Sequence, residues 1–299
     1  MKRTLTNRFW RFLLKRMFQG KHLTIAEYRA QSISAGRFMS RPPKGIEVQH
    51  INVDGIQAAW IRPADADKTK VLLHLHGGGY VNGGIASHLM MCIPMAQTLR
   101  MNVLLPEYRL APENPFPAAL EDVTKIYHWL LEQGYSSSNI IISGDSAGGG
   151  LSLATVLSLR DHHDPLPAAI VCMSPWVDLT MRGQSHRTNA KEDVILKTET
   201  LKEWTDCYVG TEKPENPLIS PIFADLHDLP PMFIQVGSDE ILLDDSIALA
   251  EIAPNATLKI WDGMWHDWHV FGALIPESKQ AFEEIKQFIH TQLENNANK

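Results

Sequence analysis

The spacing of apolar residues changes repeatedly along the chain, and each change predicts a different kind of structure. Residues from about 5 to 40 read as helical, and Arg41-Pro42-Pro43 breaks that region. Val48-Gln49-His50-Ile51-Asn52-Val53 and Gln57-Ala58-Ala59-Trp60-Ile61-Arg62 alternate around Asp54-Gly55, which predicts a hairpin with a type I′ turn. From the apolar run at 71–75 onward, strands and helices take turns. Strands are expected at 102–106, 139–144, 168–173, 232–236 and 257–261, and helices at 87–99, 117–133, 146–161, 240–252 and 277–293. Such alternation implies right-handed crossovers and a mostly parallel sheet covered on both faces. Residues 178–221 interrupt the rhythm: they are polar, helix-prone around Thr198 to Tyr208, and contain no buried-strand run. An insertion at the carboxyl ends of the strands is placed to act as a lid.

Composition narrows the picture only a little. The 299 residues, 44% hydrophobic and 21% charged, suit one large α/β domain or two small ones. A net charge of −6 carries no nucleic-acid signature. Cys92, Cys172 and Cys207 are odd in number and lack metal or redox spacing, so they read as thiols of a reducing, bacterial-type cytoplasm. Residues 1–22 hold seven Lys or Arg and no acidic residue, interleaved with Phe9, Trp10, Phe12, Leu13, Leu14, Met17 and Phe18. Lys15-Arg16 interrupts the only candidate signal-peptide core, and no window reaches the length of a membrane span. A basic amphipathic helix remains. Packing of its apolar face on the body is favoured over contact with an anionic membrane surface, because many helices of soluble proteins share this pattern.

The candidate chemistry lies where strands end. Ile140-Ile141-Ile142 runs into Gly144-Asp145-Ser146-Ala147-Gly148 and then a helix-forming stretch. Strand, sharp turn and helix are the context that makes Gly-x-Ser-x-Gly a nucleophile elbow. Crowding at such a turn requires Gly144 and Gly148 to lack side chains, and the following helix directs its positive end and the N–H of Ala147 at a developing oxyanion. Gly77-Gly78-Gly79, after the strand at 71–75, exposes backbone N–H groups without a phosphate-loop frame, and His76 is expected to orient that loop. A serine nucleophile needs a base and a carboxylate, in the chain order Ser, acid, His. Asp239 sits at the end of the strand 232–236; Glu240 and Asp244 are its rivals, expected inside the next helix and facing elsewhere. His266 and His269 both follow the strand 257–261, and His266 is the nearer to its end. No His-Glu-x-x-His frame suggests a metal, and no cofactor is expected.

His76-Gly77-Gly78-Gly79-Tyr80, Glu107-Tyr108-Arg109-Leu110-Ala111-Pro112-Glu113 with Phe116-Pro117-Ala118-Ala119, and Gly144-Asp145-Ser146-Ala147-Gly148-Gly149 resemble the hormone-sensitive-lipase family of esterases, bacterial lipolytic family IV. The likeness runs from about residue 45 to the C-terminus. It implies an α/β-hydrolase fold: a mostly parallel eight-stranded sheet with helices on both faces and a helical cap. It further implies a Ser146–His266–Asp239 triad and an oxyanion hole from the N–H groups of Gly78, Gly79 and Ala147. The cap would comprise N-terminal helices in 1–44 and the insertion 178–221 within a catalytic domain at 45–299. The expected activity is carboxylester hydrolysis on short- to medium-chain acyl esters through an acyl-enzyme. Tyr80 and Trp176 are expected to shape the pocket, and the small-molecule ester is the expected partner. A homodimer through a sheet edge rests on the resemblance alone. The alternatives are another acyl-transfer hydrolase (amidase, lactonase or acyltransferase) and a non-catalytic ligand-binding relative on the same fold.

Overall fold

The computed structural model describes residues 5–18, 23–38 and 42–297. Lys2, Arg3 and Lys21 of the basic segment, and Arg41 of the proline break, lie outside them. Its strands are β1 (Ile46–Val53), β2 (Ile56–Pro63), β3 (Asp67–Leu75), β4 (Met101–Pro106), β5 (Ile140–Asp145), β6 (Ala169–Met173), β7 (Met232–Gly237) and β8 (Ala256–Trp261). They form one sheet in the order β1-β2-β4-β3-β5-β6-β7-β8. The pairs β1/β2 and β2/β4 are antiparallel, and every other pair is parallel. In the β1–β2 hairpin Val53 pairs with Ile56, and the turn residues Asp54 and Gly55 both have positive φ (49° and 95°), as a type I′ turn requires.

β4, β5, β6 and β7 are buried at every position, which is why they read as continuous apolar runs rather than alternating ones. Period-2 geometry still sorts their side chains between two cores. Leu73, Ile142, Ile170 and Ile234 pack on the face covered by α4 (Ala118–Glu132), α5 (Ala147–Asp161) and α8 (Leu243–Ile252). Leu72, Ile141, Val171 and Phe233 pack on the face covered by α3 (Ile85–Leu99) and α9 (Pro276–Ala297). The edge strand β8 is partly exposed along its length.

Four helices lie outside this scheme: α1 (Leu5–Phe18) and α2 (Ile25–Phe38) at the N-terminus, and α6 (Ser185–Thr188) and α7 (Thr198–Val209) in the segment 178–221. α1 puts Leu14 into a third apolar cluster with Val194, Met264, Trp265 and Trp268, and its Trp10 meets Phe271 at 5.2 Å. Tyr28 of α2 meets Trp204 of α7 edge-on at 5.3 Å. Both helices therefore touch segments that carry or cover the strand ends. Among the described residues no helix is long and apolar enough to cross a membrane.

Candidate active site

The parallel strands β3, β5, β7 and β8 bring their carboxyl ends to one edge of the sheet, and the candidate residues follow those ends. Ser146 lies between β5 and α5 with φ 51° and ψ −121°, a strained conformation for a residue with a side chain. The turn leaves no room beside it. A Cβ on Gly144 would sit 2.1 Å from the Gly148 carbonyl oxygen, and one on Gly148 would sit 2.0 Å from that of Leu75. Ala147 is the first residue of α5, so its N–H belongs to the open amino end of the helix.

The glycine loop after β3 is held against this elbow by a buried carboxylate. Asp145 Oδ2 accepts the N–H of Gly77 at 3.0 Å and lies 3.2 Å from His88 Nε2, while Oδ1 lies 3.1 Å from His74 Nε2. Burial opposes charge on Asp145, yet His88 and then His74 outweigh it and hold the carboxyl well below the usual range. Gly78 and Gly79 have positive φ, 116° and 62°, and their N–H groups donate to no protein acceptor among the described residues. Trp204 of α7 closes over Gly79, where a Cβ would fall 2.0 Å from its ring. His76 stacks on Tyr108 at 4.1 Å, and its Nδ1 donates to the Gly77 carbonyl. Burial pushes its imidazole down to about 3, in keeping with a neutral, orienting role.

His266, in the loop after β8, reaches both partners a base needs. Its Nε2 is 3.0 Å from Ser146 Oγ, and its Nδ1 donates to Glu240 Oε2 at 2.9 Å. The structure departs from the expectation at the acid. Asp239 does not meet the imidazole; its Oδ2 accepts from Arg11 of α1 at 2.7 Å, and Ser238 Oγ donates to its Oδ1. The reason is local. α8 begins at Leu243 rather than at 240, so Glu240 lies in a turn that folds its side chain back over the strand end. There Glu240 Oε1 accepts from Ser174 Oγ at 2.7 Å and from Gly237 N–H at 2.6 Å. The other rival, Asp244, accepts from Ser185 N–H, away from the imidazole. His269 is buried against Gln235 and Phe282, and burial pushes it down to about 3.

Comparisons with known proteins give the family. The model of the α/β-hydrolase fold family matches residues 72–270. An acetyl-hydrolase of Streptomyces hygroscopicus is 42% identical over 245 residues, spanning 81% of this chain and 82% of that protein. The crystal structure of an esterase from the bacterial hormone-sensitive lipase family superposes with a TM-score of 0.93 at 39% identity, over 98% of this chain and all of that one. EstE5, in a crystal soaked with p-nitrophenyl butyrate, superposes with a TM-score of 0.92 at 38% identity, over 97% and 99% of the two chains. The chain belongs to the α/β-hydrolase family, among its bacterial hormone-sensitive-lipase esterases. It is a serine carboxylester hydrolase.

Sequence reasoning missed one further group in the esterase site. Asp267, at φ 51°, turns Oδ2 to within 2.9 Å of His266 Nε2, on the side of the ring that also faces Ser146. Burial pushes its carboxyl up. Burial likewise disfavours charge on His266, but Asp267 and then Glu240 outweigh it and raise the imidazole well above its ordinary value. Adjacency to His266 was the available signal, though a neighbour in sequence normally points to the other side of the chain. Tyr80 and Trp176 are both fully buried. Tyr80 stacks on Tyr208 of α7 at 3.6 Å and meets Trp176 at 6.2 Å, and Trp176 donates its backbone N–H to the Ser146 carbonyl. They thus join the elbow to the segment 178–221.

Proposed function

We propose that this esterase cleaves short- to medium-chain acyl esters through a Ser146–His266–Glu240 triad. The observation that carries the reading is the unbroken hydrogen-bond chain from Ser146 Oγ through both nitrogens of His266 to Glu240. Glu240 holds the proton on Nδ1, so that in the neutral imidazole the Nε2 lone pair takes the proton of Ser146 as its oxygen attacks the ester carbonyl. The carbonyl π pair moves to oxygen, and that oxyanion is received by the N–H groups of Gly78, Gly79 and Ala147. The imidazolium then protonates the departing alcohol. Water, deprotonated by the same histidine, releases the acid and restores Ser146.

Support for short acyl groups comes from the cover over the site. Ser146 is only 5% exposed, and Trp204 and Tyr208 lie directly on the glycine loop and Tyr80. Hydrolysis of acetyl and butyryl esters is consistent with the names of the similar acetyl-hydrolase and of the ester soaked into the EstE5 crystal. α1, α2 and the segment 178–221 act together as the cap. The test is a series of p-nitrophenyl esters of rising acyl length, run with wild type and Ser146→Ala. The expected result is activity that peaks at short chains and vanishes in the variant. A peak at long chains would overturn the acyl-length reading, and a fully active variant would overturn the nucleophile.

A further inference from the structure

α1 is amphipathic twice over. Its inner side, Asn7, Arg11 and Leu14, is buried against the enzyme. Asn7 Nδ2 donates to the Gly263 carbonyl, and Arg11 pairs with Asp239 and Glu192. The inner face of the helix is thus occupied by contacts with the body. Yet on the opposite side Phe9 is 61% exposed, Phe12 60%, and Met17, on one flank, 51%. Among the described residues seven large apolar side chains are exposed; the three most exposed stand on these 14 residues. Isolated exposed apolar residues need no explanation, but two phenylalanines one turn apart share a face of the helix and form a patch.

The surroundings of that patch are cationic. Arg8 and Arg16 are exposed beside the phenylalanines, Lys15 is half-buried on the same helix, and α1 contains no acidic residue. Arg16 lies over the Phe12 ring at 5.6 Å. The whole chain carries −6, so this cationic patch stands out against an otherwise more acidic molecule. Phenylalanine flanked by Arg and Lys on a helix lying along the surface is the pattern that inserts rings at the acyl boundary of a bilayer while its cations meet anionic headgroups. A second copy fits less well, because a two-fold interface here would set Arg8, Lys15 and Arg16 against the same charges.

We propose that the outer face of α1 docks on an anionic lipid surface. Docking there would hold the end of the sheet that carries Ser146, Glu240 and His266 close to the bilayer, because the inner face of α1 is fixed to the loops after β7 and β8. The consequence for substrate choice, acyl esters resident at a lipid–water interface, rests on the esterase reading; the docking does not.

Cosedimentation of the full chain with phosphatidylglycerol–phosphatidylcholine vesicles and with phosphatidylcholine vesicles tests it. The expected result is binding to the anionic vesicles that weakens as salt is raised. Phe9→Ser with Phe12→Ser should cost about tenfold in vesicle affinity. Arg8→Gln, Lys15→Gln and Arg16→Gln together should cost a similar factor, about tenfold. Both variants should hydrolyse a water-soluble ester as wild type does, which shows that they fold, and Ser146→Ala should bind vesicles unchanged. Absence of binding to anionic vesicles, equal binding to neutral ones, or full binding by both variants overturns the proposal. So does a concentration-dependent dimer, seen by sedimentation velocity, that the phenylalanine variant dissolves.

Discussion

The two halves of the active site are built by different means. The elbow and the glycine loop are made of backbone: positive φ at Ser146, Gly78 and Gly79, and close approaches that tolerate no Cβ at Gly144 or Gly148. The acid–base half is made of side-chain directions. Asp239 and Glu240 are neighbours in the chain, yet one turns outward to Arg11 and the other inward to His266. His266 and Asp267 are also neighbours, and their side chains nevertheless meet. Backbone strain forces a residue type and so leaves a mark in the sequence. Which of two adjacent carboxylates turns inward leaves none, because elements far away decide it.

The largest effect should come from the backbone-built half. Ser146→Ala removes the nucleophile while leaving the turn intact, and kcat should fall by on the order of 10⁵-fold or more. Steady-state hydrolysis of p-nitrophenyl acetate measures it. A loss of under about a hundredfold would mean that water, not Ser146, attacks the ester.

Next is the acid. Glu240→Gln keeps the shape but cannot hold the proton on His266 Nδ1 in the right tautomer, so kcat should fall by about 10³- to 10⁴-fold. The acyl-length profile should be unchanged, since the Glu240 side chain bonds His266, Ser174 and Gly237, all outside the segment 178–221, and the contact of its carbonyl with Asn189 survives the substitution. Near-wild-type activity in this variant would return the role to another carboxylate and undo the contrast between the two neighbours.

Much of the molecule was legible in advance. The hairpin, the order of strands and helices, and the elbow follow from period and from glycine, because each is fixed within a few residues. The parallel core strands were legible because burial on both faces keeps them mostly apolar, with only Ser143, Asp145 and Gln235 as polar exceptions in β5 and β7. Asp239 was misread because the expected helix start at 240 was placed too early; α8 begins three residues later, and that short turn reverses which carboxylate faces in. Nor could spacing reveal that Arg11, 228 residues away, holds Asp239. The buried Asp145–His74–His88 group went unnoticed for a similar reason, as its partners come from β3 and α3.

Asp267 refines the contrast through pH. The active form of His266 is neutral, so kcat/KM should fall as pH drops through its folded pKa. Burial lowers that pKa, but Asp267 and Glu240 together raise it above the ordinary imidazole value of about 6.5. Asp267→Asn removes one of the raising charges and leaves Glu240 in place. The acid limb of the kcat/KM profile should therefore move to lower pH, with activity retained where wild type has lost it. An unmoved limb would show that Asp267 is not ionised beside the ring.

The smallest effect on turnover, and the sharpest test of the comparison, belongs to Asp239→Asn. The side chains of Arg11 and Asp239 are 6% and 11% exposed, so their pair holds α1 to the loop after β7 from a nearly dry position. Neutralising one member leaves Arg11 with Glu192 but without its closer partner. Breaking a buried pair in this way costs about 3 kcal/mol where no other charge compensates, and Glu192 should reduce that figure. Thermal unfolding should therefore move to lower temperature, while kcat drops by less than about tenfold, since Glu240 still fixes the tautomer of His266. A loss matching that of Glu240→Gln would mean that the two carboxylates work as one unit. The division between a strained backbone half and a side-chain half would then need redrawing to include the N-terminal helix.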